Sequence, residues 1–273
     1  MTTAVSTREQ QVTDIIEANR ANIEAVLSES LSTKEAKERF LRLCVGAFRK
    51  IPKLREATVP SLIEGMLAAG TLGLELNSAS GESFLIPRKI KGIMTACFEV
   101  GYQGFITLAA RQGIRIVCVE CIKANDPIKR VSRGSNPIIE HEVPLSGDRG
   151  DVLGAYCCVI APGGIEWNAY LPIEELNYIR SKARGGEAED SPWVNWPEEQ
   201  YKKTAIKRCL KLVPGKGREL STGLEYDSLS EAGKVERNIT LQAQVEVPKA
   251  LSGVKKAEMP DVEGNDDTEG GLQ

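Results

Sequence analysis

The chain has 273 residues, 41% hydrophobic and 27% charged, which is enough to bury one substantial core, alone or with arms. It has no apolar run long enough to span a bilayer, and no basic start followed by an apolar core that would mark a secretory signal. Its seven cysteines, an odd number, argue against a disulfide framework. These features favour a soluble, cytoplasmic protein over a secreted or membrane-spanning one.

The formal charge of −3 is unevenly distributed. From residue 257 to residue 273 there are six acids and no Lys or Arg, and without this tail 35 Lys and Arg face 32 Asp and Glu. The rest of the chain is therefore mildly basic. We expect disorder past about residue 247, where the composition is polar and acidic.

The first part of the chain has helical periodicity. One apolar stripe consists of Val12, Ile15, Ile16, Ile23, Val26 and Leu27, and a second of Phe40, Leu41, Cys44 and Phe48. Ser32 with Glu35 is predicted to open the second helix as a capping box. Ser61 with Glu64 is predicted to open a third, which Gly70 and Gly73 would close.

The middle of the chain is typical of a small, mainly antiparallel sheet crossed by a helix. Residues 83–90 are predicted to form a hairpin with a strand containing Phe98 and Val100, joined by a turn at Lys91-Gly92. A short helix is predicted over residues 101–112. Further strands are predicted over residues 114–122, 155–160 and 165–171, the last two joined by a turn at residues 162–164.

The late part of the chain contains two predicted helices, over residues 173–182 and 196–213. Lys203, Lys207 and Lys211 recur every four residues of the second helix, and Lys202 and Arg208 widen this stripe. Like charges at this spacing repel each other, so a phosphate backbone would stabilise them; a solvated helix face is the alternative. Beyond residue 215 the periodicity is lost.

Residues 85–133 concentrate positive charge, with nine Lys or Arg and three acids. Phe98, Tyr102 and Phe105 are interleaved with these charges, and Gly101 and Gly104 would allow close approach of the backbone to a ligand. This composition suits a flexible polyanion whose bases can stack. The alternative is a charged surface over an ordinary core.

Several kinds of chemistry lack the residues they need. Residues 214–217 (PGKG) lack the preceding glycine and the following Ser or Thr of a phosphate-binding loop, so we expect no dependence on nucleotides. His141 is the single histidine. Glu140, His141 and Glu142 could be imagined as metal ligands, with Asp126 as a fourth. On a strand, however, Glu140 and Glu142 would point away from His141, so a structural or hydrogen-bonding role is favoured.

Cysteine spacing and tryptophan positions are open to structural interpretations. Cys118 and Cys121 have the spacing of a zinc knuckle without a second pair, and on a strand they face opposite sides. We interpret them, and Cys157 with Cys158, as thiols in or near the core. Trp193 and Trp196 could stack on bases or fill the core.

An ordered set of motifs resembles the RecT family, the phage and prophage single-strand DNA annealing proteins. The motifs lie between about residues 50 and 213. They are residues 58–61 (TVPS) and 72–75 (LGLE), Ile86-Pro87, Phe98, residues 101–113 (GYQGFITLAARQG), Asn125-Asp126, His141, residues 154–156 (GAY), 191–193 (SPW) and 203–208 (KTAIKR).

The resemblance implies an annealing protein that works without ATP, without covalent chemistry and without a cofactor, with Mg²⁺ at most a modulator. It implies a ring or helical filament on single-stranded DNA and on the annealed duplex. It also implies a partner 5′→3′ exonuclease, contact with a host single-strand-binding protein, and the cytoplasm of a bacterial host. A metal-dependent nuclease and a non-enzymatic protein scaffold are the alternatives.

The fold class implied is α+β, a small antiparallel sheet with a β-hairpin packed by helices. We divide the chain into an N-terminal helical region (residues 1–55), a DNA-binding core (56–220) and a largely disordered C-terminal segment (221–273). The hairpin, sheet and late helix are expected to form one long groove for DNA. Its predicted lining is Lys89, Lys91, Tyr102, Gln103, Arg111, Lys123, Trp193, Lys202, Lys203, Lys207 and Arg208.

Overall fold

The computed structural model describes residues 10, 13–14, 16–132, 138–183, 185–189 and 191–231. The protein is α+β, with antiparallel strand pairs packed by helices, as predicted. The helices are α1 (Arg20–Ala25), α2 (Lys34–Lys50), α3 (Val59–Leu72), α4 (Tyr102–Arg111), α5 (Ile173–Lys182), α6 (Pro192–Asn195), α7 (Pro197–Leu212) and α8 (Gly217–Glu231). The strands are β1 (Ser83–Ile90), β2 (Ile93–Val100), β3 (Arg115–Lys123), β4 (Ile128–Ser132), β5 (Ile138–His141), β6 (Val152–Ala161) and β7 (Ile165–Pro172). The acidic tail lies outside the described residues.

The second predicted stripe is buried in full, and Ile16 and Ile23 of the first stripe are buried as well. Val12 and Ile15 lie outside the described residues, and the helix start signals differ from the prediction. Thr33, not Ser32, caps α2, because its hydroxyl accepts a hydrogen bond from the Ala36 amide at 3.1 Å. The capping box at Ser61 is also wrong. α3 begins two residues earlier at Val59, and the Ser61 hydroxyl instead donates to the Thr58 carbonyl and accepts from the Ala96 amide of β2.

Helix α3 is the centre of the core. Ten of its residues are buried, and Gly73 closes it in the left-handed conformation at φ 61°, as predicted. Gly70 was also predicted to close the helix, but it lies buried inside the last turn. One hydrophobic cluster extends from Ile16 to Leu224 and crosses both boundaries of the three-part division, which stays a prediction.

The β1–β2 hairpin packs against α3 and is joined by the predicted two-residue turn. Lys91 and Gly92 both have positive φ (47° and 84°), which is the geometry of a tight hairpin turn with right-handed strand twist. Leu85 and Phe98 face each other across the strands on the buried side. Register and turn together place Lys89 and Lys91 at the far end of the hairpin.

The second sheet has the order β3-β6-β7. One face carries Ala155, Cys157, Val159 and Leu171, all buried, and α7 packs on this sheet. The opposite face is partly covered by the β4–β5 ribbon, whose His141 ring contacts Tyr156 edge-on with ring centroids 5.6 Å apart. The sheet therefore lies between a long helix and a short ribbon.

Helix α8 forms beyond residue 215, where the sequence shows no periodicity, and it extends into the segment 221–273 that was predicted to be largely disordered. Its Tyr226 ring contacts Phe98 of β2 edge-on at 6.0 Å, and its Ser230 hydroxyl donates to Glu99 at 3.1 Å. Leu220 and Leu224 are buried. The helix continues past the predicted boundary at residue 220.

Among the described residues, no helix combines the length and apolar character needed to cross a membrane.

Candidate nucleic-acid interface

The tip of the hairpin presents two of the predicted cations to solvent. Lys89 and Lys91 are both exposed. Lys91 occupies the first position of the two-residue turn, with φ 47°, so its side chain projects from the end of the hairpin. The tip is therefore a well-defined, accessible site of positive charge.

Tyr102 and Gln103 begin α4, next to the loop that precedes β1. Tyr102 is 37% exposed, and Gln103 is half-buried. The flanking glycines serve the fold rather than a ligand. A Cβ at Gly101 would overlap the Gly81 carbonyl, and one at Gly104 would overlap the Glu82 carbonyl. The close backbone approach predicted for these glycines is thus made to the protein's own loop.

Arg111 closes the C-terminal end of α3. Its guanidinium donates to the carbonyls of Leu72 and Gly73, each at 2.7 Å. It also forms an ion pair of 3.4 Å with Glu219 of α8, whose carboxylate accepts a hydrogen bond from Ser28 at 2.6 Å. Arg111 therefore links three parts of the chain, a structural role that the sequence did not indicate.

Lys123, Lys202 and Arg208 all form ion pairs with acids of the same chain. Lys123 pairs with Glu198 at 2.7 Å, and Arg208 with Glu175 at 2.7 Å. The other pairs are Lys202 with Glu120 (3.6 Å) and with Glu199 (3.5 Å). A phosphate would have to compete with these carboxylates.

Lys203 and Lys207 converge on one buried acid, Asp227 of α8. The ammonium-to-carboxylate distances are 2.9 Å for Lys203 and 2.6 Å for Lys207. Burial raises the pKa of Asp227, but the two ammonium groups outweigh burial and hold its pKa below the usual range. The repulsion within the lysine stripe is thus offset by a carboxylate rather than by phosphate.

Trp193 packs in the core in this conformation, and its predicted contact with DNA stays a prediction. It is 6% exposed and lies 6.2 Å from the Tyr201 ring, centroid to centroid. Ser191 caps the short helix α6 that holds it, with its hydroxyl accepting from the Trp193 amide. Trp196, by contrast, is 64% exposed.

His141 and Asp126 form a buried polar network. His141 Nε2 lies 3.0 Å from Asp126 Oδ2, and His141 Nδ1 lies 3.2 Å from the Tyr156 hydroxyl. Arg149 donates to both Asp126 oxygens at 2.8 Å and holds the pKa of that carboxyl well below its usual range. The hydrogen-bonding histidine favoured by the sequence is what the structure shows. Arg149 was missed, because its partner lies 23 residues away.

The cysteines pack as thiols in or near the core. Cys118 contacts the Tyr156 hydroxyl, whereas Cys121 contacts the Glu198 carbonyl, so the two face opposite sides of β3 as predicted. Burial raises the pKa of Cys121 to about 12 and that of Cys158 to about 11. In the described part of the chain, no three His, Cys, Asp or Glu side chains are grouped to hold a metal ion.

Comparison with known proteins gives two matches. The sequence model of the RecT family matches residues 38–234, which is most of the described chain. The chain belongs to the RecT family. It is similar to Protein RecT of Escherichia coli (strain K12), with 27% identity over 202 residues that cover 72% of this chain and 73% of that protein. The RecT match extends through α8, the helix that periodicity missed.

Several residues that carry the RecT resemblance serve the fold. Asp126 and His141 form the buried network, and Ser61 joins α3 to β2. Arg111 closes α3, and Gly101 and Gly104 pack on the loop before β1. Much of the motif pattern therefore identifies the scaffold rather than a ligand-contacting surface.

The eleven residues predicted to line one groove differ in their surroundings. Six cations are paired with acids, Trp193 is buried, and Lys89, Lys91, Tyr102 and Gln103 lie at or near the surface. Two lysines of α7, Lys203 and Lys207, point at Asp227. In this conformation, therefore, the predicted cations do not all line a single open groove. Contact of each residue with DNA stays a prediction.

Proposed function

We propose that this RecT-family protein binds single-stranded DNA and anneals complementary strands without ATP, in phage-type recombination. The observation that carries the proposal is the family match over residues 38–234. The exposed lysines at the hairpin tip support it, because Lys contacts to phosphate give affinity that does not depend on sequence. Lys216 donates to the Lys211 carbonyl at 3.0 Å and so caps α7, which supports a structural role for the loop at residues 214–217.

Annealing of this kind needs no covalent chemistry. Pairing of complementary strands is downhill once they meet, so the protein has only to neutralise backbone repulsion and leave base edges free. Many copies on one strand would multiply weak contacts, which favours a ring or a helical filament. We propose Mg²⁺ as a modulator of annealing only, and no other cofactor.

The partners and the setting belong to the same proposal. We expect a 5′→3′ exonuclease to expose the single strand, and a host single-strand-binding protein to contact this protein on that strand. The setting proposed for all three is the cytoplasm of a bacterial host. The nuclease alternative is disfavoured, because both oxygens of Asp126 are already engaged by Arg149 and one of them also by His141. The scaffold alternative predicts no salt-sensitive binding of DNA.

The test mixes two complementary oligonucleotides, labelled as a fluorescence pair, with the full chain and without nucleotide. We expect annealing faster than the spontaneous rate, unchanged by added ATP, with rings or filaments visible by negative-stain electron microscopy. A parallel reaction with Mg²⁺ or Mn²⁺ is run on a denaturing gel, where shortened strands would indicate a nuclease. No acceleration of annealing in any salt would overturn the proposal.

A further inference from the structure

The second half of α2 and the turn after it form a strongly basic segment. Between Glu38 and Glu56 the sequence has six Lys or Arg and no acid. Arg42, Arg49, Lys50 and Lys53 are exposed. We call these four residues the α2 basic surface. None of them was among the residues predicted to contact DNA.

The basic residues of α2 lie on the face opposite its core stripe. The buried residues are Phe40, Leu41, Cys44, Ala47 and Phe48. Gly46 follows Arg42 by four residues, and Arg49 and Lys50 follow Gly46 by three and four, so these residues share the other face. Arg49 and Lys50 complement the negative end of the helix dipole, but Arg42 lies about two turns earlier and Lys53 lies beyond the helix. The dipole alone therefore does not account for the surface.

Gly46 is a second, independent observation on the same face. Glycine in a helix interior costs stability relative to alanine, so it usually has a packing reason. Here a Cβ on Gly46 would meet no atom within 4 Å, so no neighbour in the fold requires its absence. The missing side chain leaves the helix backbone open to close approach, between Arg42 on one side and Lys50 on the other.

The α2 basic surface continues towards the hairpin tip. Lys50 donates to the Asn77 carbonyl at 3.4 Å, and the Asn77 side chain accepts from the Leu85 amide of β1 at 2.9 Å. Residues 51–58 connect α2 to α3. At the end of this segment the Thr58 amide donates to the carbonyl of Met94, the residue that pairs with Lys89 across the hairpin. The 3₁₀ turn Pro52–Glu56, which holds Lys53, lies between these two attachment points. The segment that carries Lys53 therefore runs along the hairpin, from the strand end near Leu85 to the position paired with Lys89.

We propose that the α2 basic surface and the hairpin tip together hold the sugar-phosphate backbone of one DNA strand, with Gly46 at the point of closest approach. This inference rests on the proposed function, because it names where the strand binds. A run of exposed cations along an elongated surface fits a linear polyanion, and the open backbone at Gly46 admits a sugar-phosphate chain between the two arginine-bearing turns.

The test compares two double charge reversals in the full chain. Arg42→Glu/Lys53→Glu changes the proposed surface, and Lys34→Glu/Arg218→Glu changes, by the same total charge, two exposed cations that are not part of that surface, at the first residue of α2 and in α8. Binding of a labelled oligo-dT is measured by fluorescence anisotropy over a NaCl series. For the first variant we expect at least tenfold weaker binding at low salt and a salt slope smaller by about 1.4, since each phosphate contact on a single strand contributes about 0.7. For the control we expect the wild-type slope.

Two further variants separate loss of contacts from repulsion and from misfolding. Arg42→Gln/Lys53→Gln should give the same reduction in slope without reversed charge. Gly46→Gln adds a neutral side chain at the open backbone and should weaken binding, while the midpoint of thermal unfolding does not fall. Wild-type protein without salt-sensitive binding would refute the proposed function itself. Wild-type binding with Arg42→Glu/Lys53→Glu equal to the control, or Gly46→Gln equal to wild type, would refute only this inference.

Discussion

The Asp227 carboxylate lies 2.6 Å from the Lys207 ammonium, and both side chains are buried between α7 and α8. Lys203 joins them at 2.9 Å. A single acid thus forms ion pairs with two lysines of the stripe that sequence analysis assigned to DNA, and it attaches the last described helix to the core. The pairing makes α8 part of the folded unit and gives the stripe a structural purpose.

Replacing Asp227 with Asn should destabilise the protein strongly. The change leaves two ammonium groups without their counter-ion in a buried site, and breaking a buried pair from one side costs about 3–5 kcal/mol. Chemical denaturation monitored by circular dichroism measures the loss. Glu225→Gln, an exposed position on the same helix, is the matched control and should change stability by less than about 0.5 kcal/mol. Equal stability of the two variants would contradict the structural role of the pair.

The same ion pair predicts how this contribution depends on pH. The pKa of Asp227 is lower in the folded protein than its ordinary value of 3.8, so its stabilising effect is fully present above about pH 4. As the pH falls towards the folded-state pKa, Asp227 becomes protonated and the contribution is lost. The difference in unfolding free energy between wild type and Asp227→Asn should therefore be constant from pH 7 to pH 5 and shrink below pH 4. A difference that shrinks already between pH 7 and pH 5 would assign the effect to another group.

The local elements of the fold could be predicted because their signals are local. The strand over residues 83–90 and the turn at Lys91-Gly92 follow from alternation and from a glycine that tolerates positive φ. Helix starts were less predictable, since neighbouring hydroxyls compete for one role. The Thr33 hydroxyl, not that of Ser32, accepts the hydrogen bond from the Ala36 amide at the start of α2. The Ser61 hydroxyl accepts one from the Ala96 amide of β2 instead of capping α3.

The candidate site was less predictable, because charge in a sequence does not show which acid lies opposite it. Lys203 and Lys207 have the spacing of a phosphate-binding stripe, yet their partner lies in a helix whose weak periodicity hid it. The role of Arg111 was equally hidden in the sequence, because it donates to backbone carbonyls at the end of α3, and backbone acceptors have no sequence signature. The basic segment around Arg42 and Lys53 was visible in the sequence as a stretch without acids. Its position beside the hairpin was not visible, because it depends on contacts of Asn77 and Thr58.

The buried network around Asp126 should be needed for stability. Asp126→Asn removes the charge that Arg149 and His141 face, so we expect a loss of about 3 kcal/mol or more in the free energy of unfolding. Chemical denaturation measures this, and Asp148→Asn in the exposed loop is the control. Mg²⁺ or Mn²⁺ added to wild type should leave the unfolding midpoint unchanged. A metal-dependent rise in the midpoint that Asp126→Asn abolishes would instead indicate a metal site there.

The hairpin tip should contribute to DNA affinity without contributing to stability. Lys89→Gln/Lys91→Asn removes two exposed charges, and Asn tolerates the positive φ at position 91, so the turn is kept. We expect the salt slope of oligo-dT binding to fall by about 1.4 and the thermal unfolding midpoint to stay within about 2 °C of wild type. Lys34→Gln/Arg218→Gln, which removes the same charge elsewhere, should retain the wild-type slope. If both double variants lower the slope equally, net charge rather than the tip governs binding. Because we propose that the tip and the α2 basic surface hold the same DNA strand, combining the two sets of changes should reduce the slope further than either set alone.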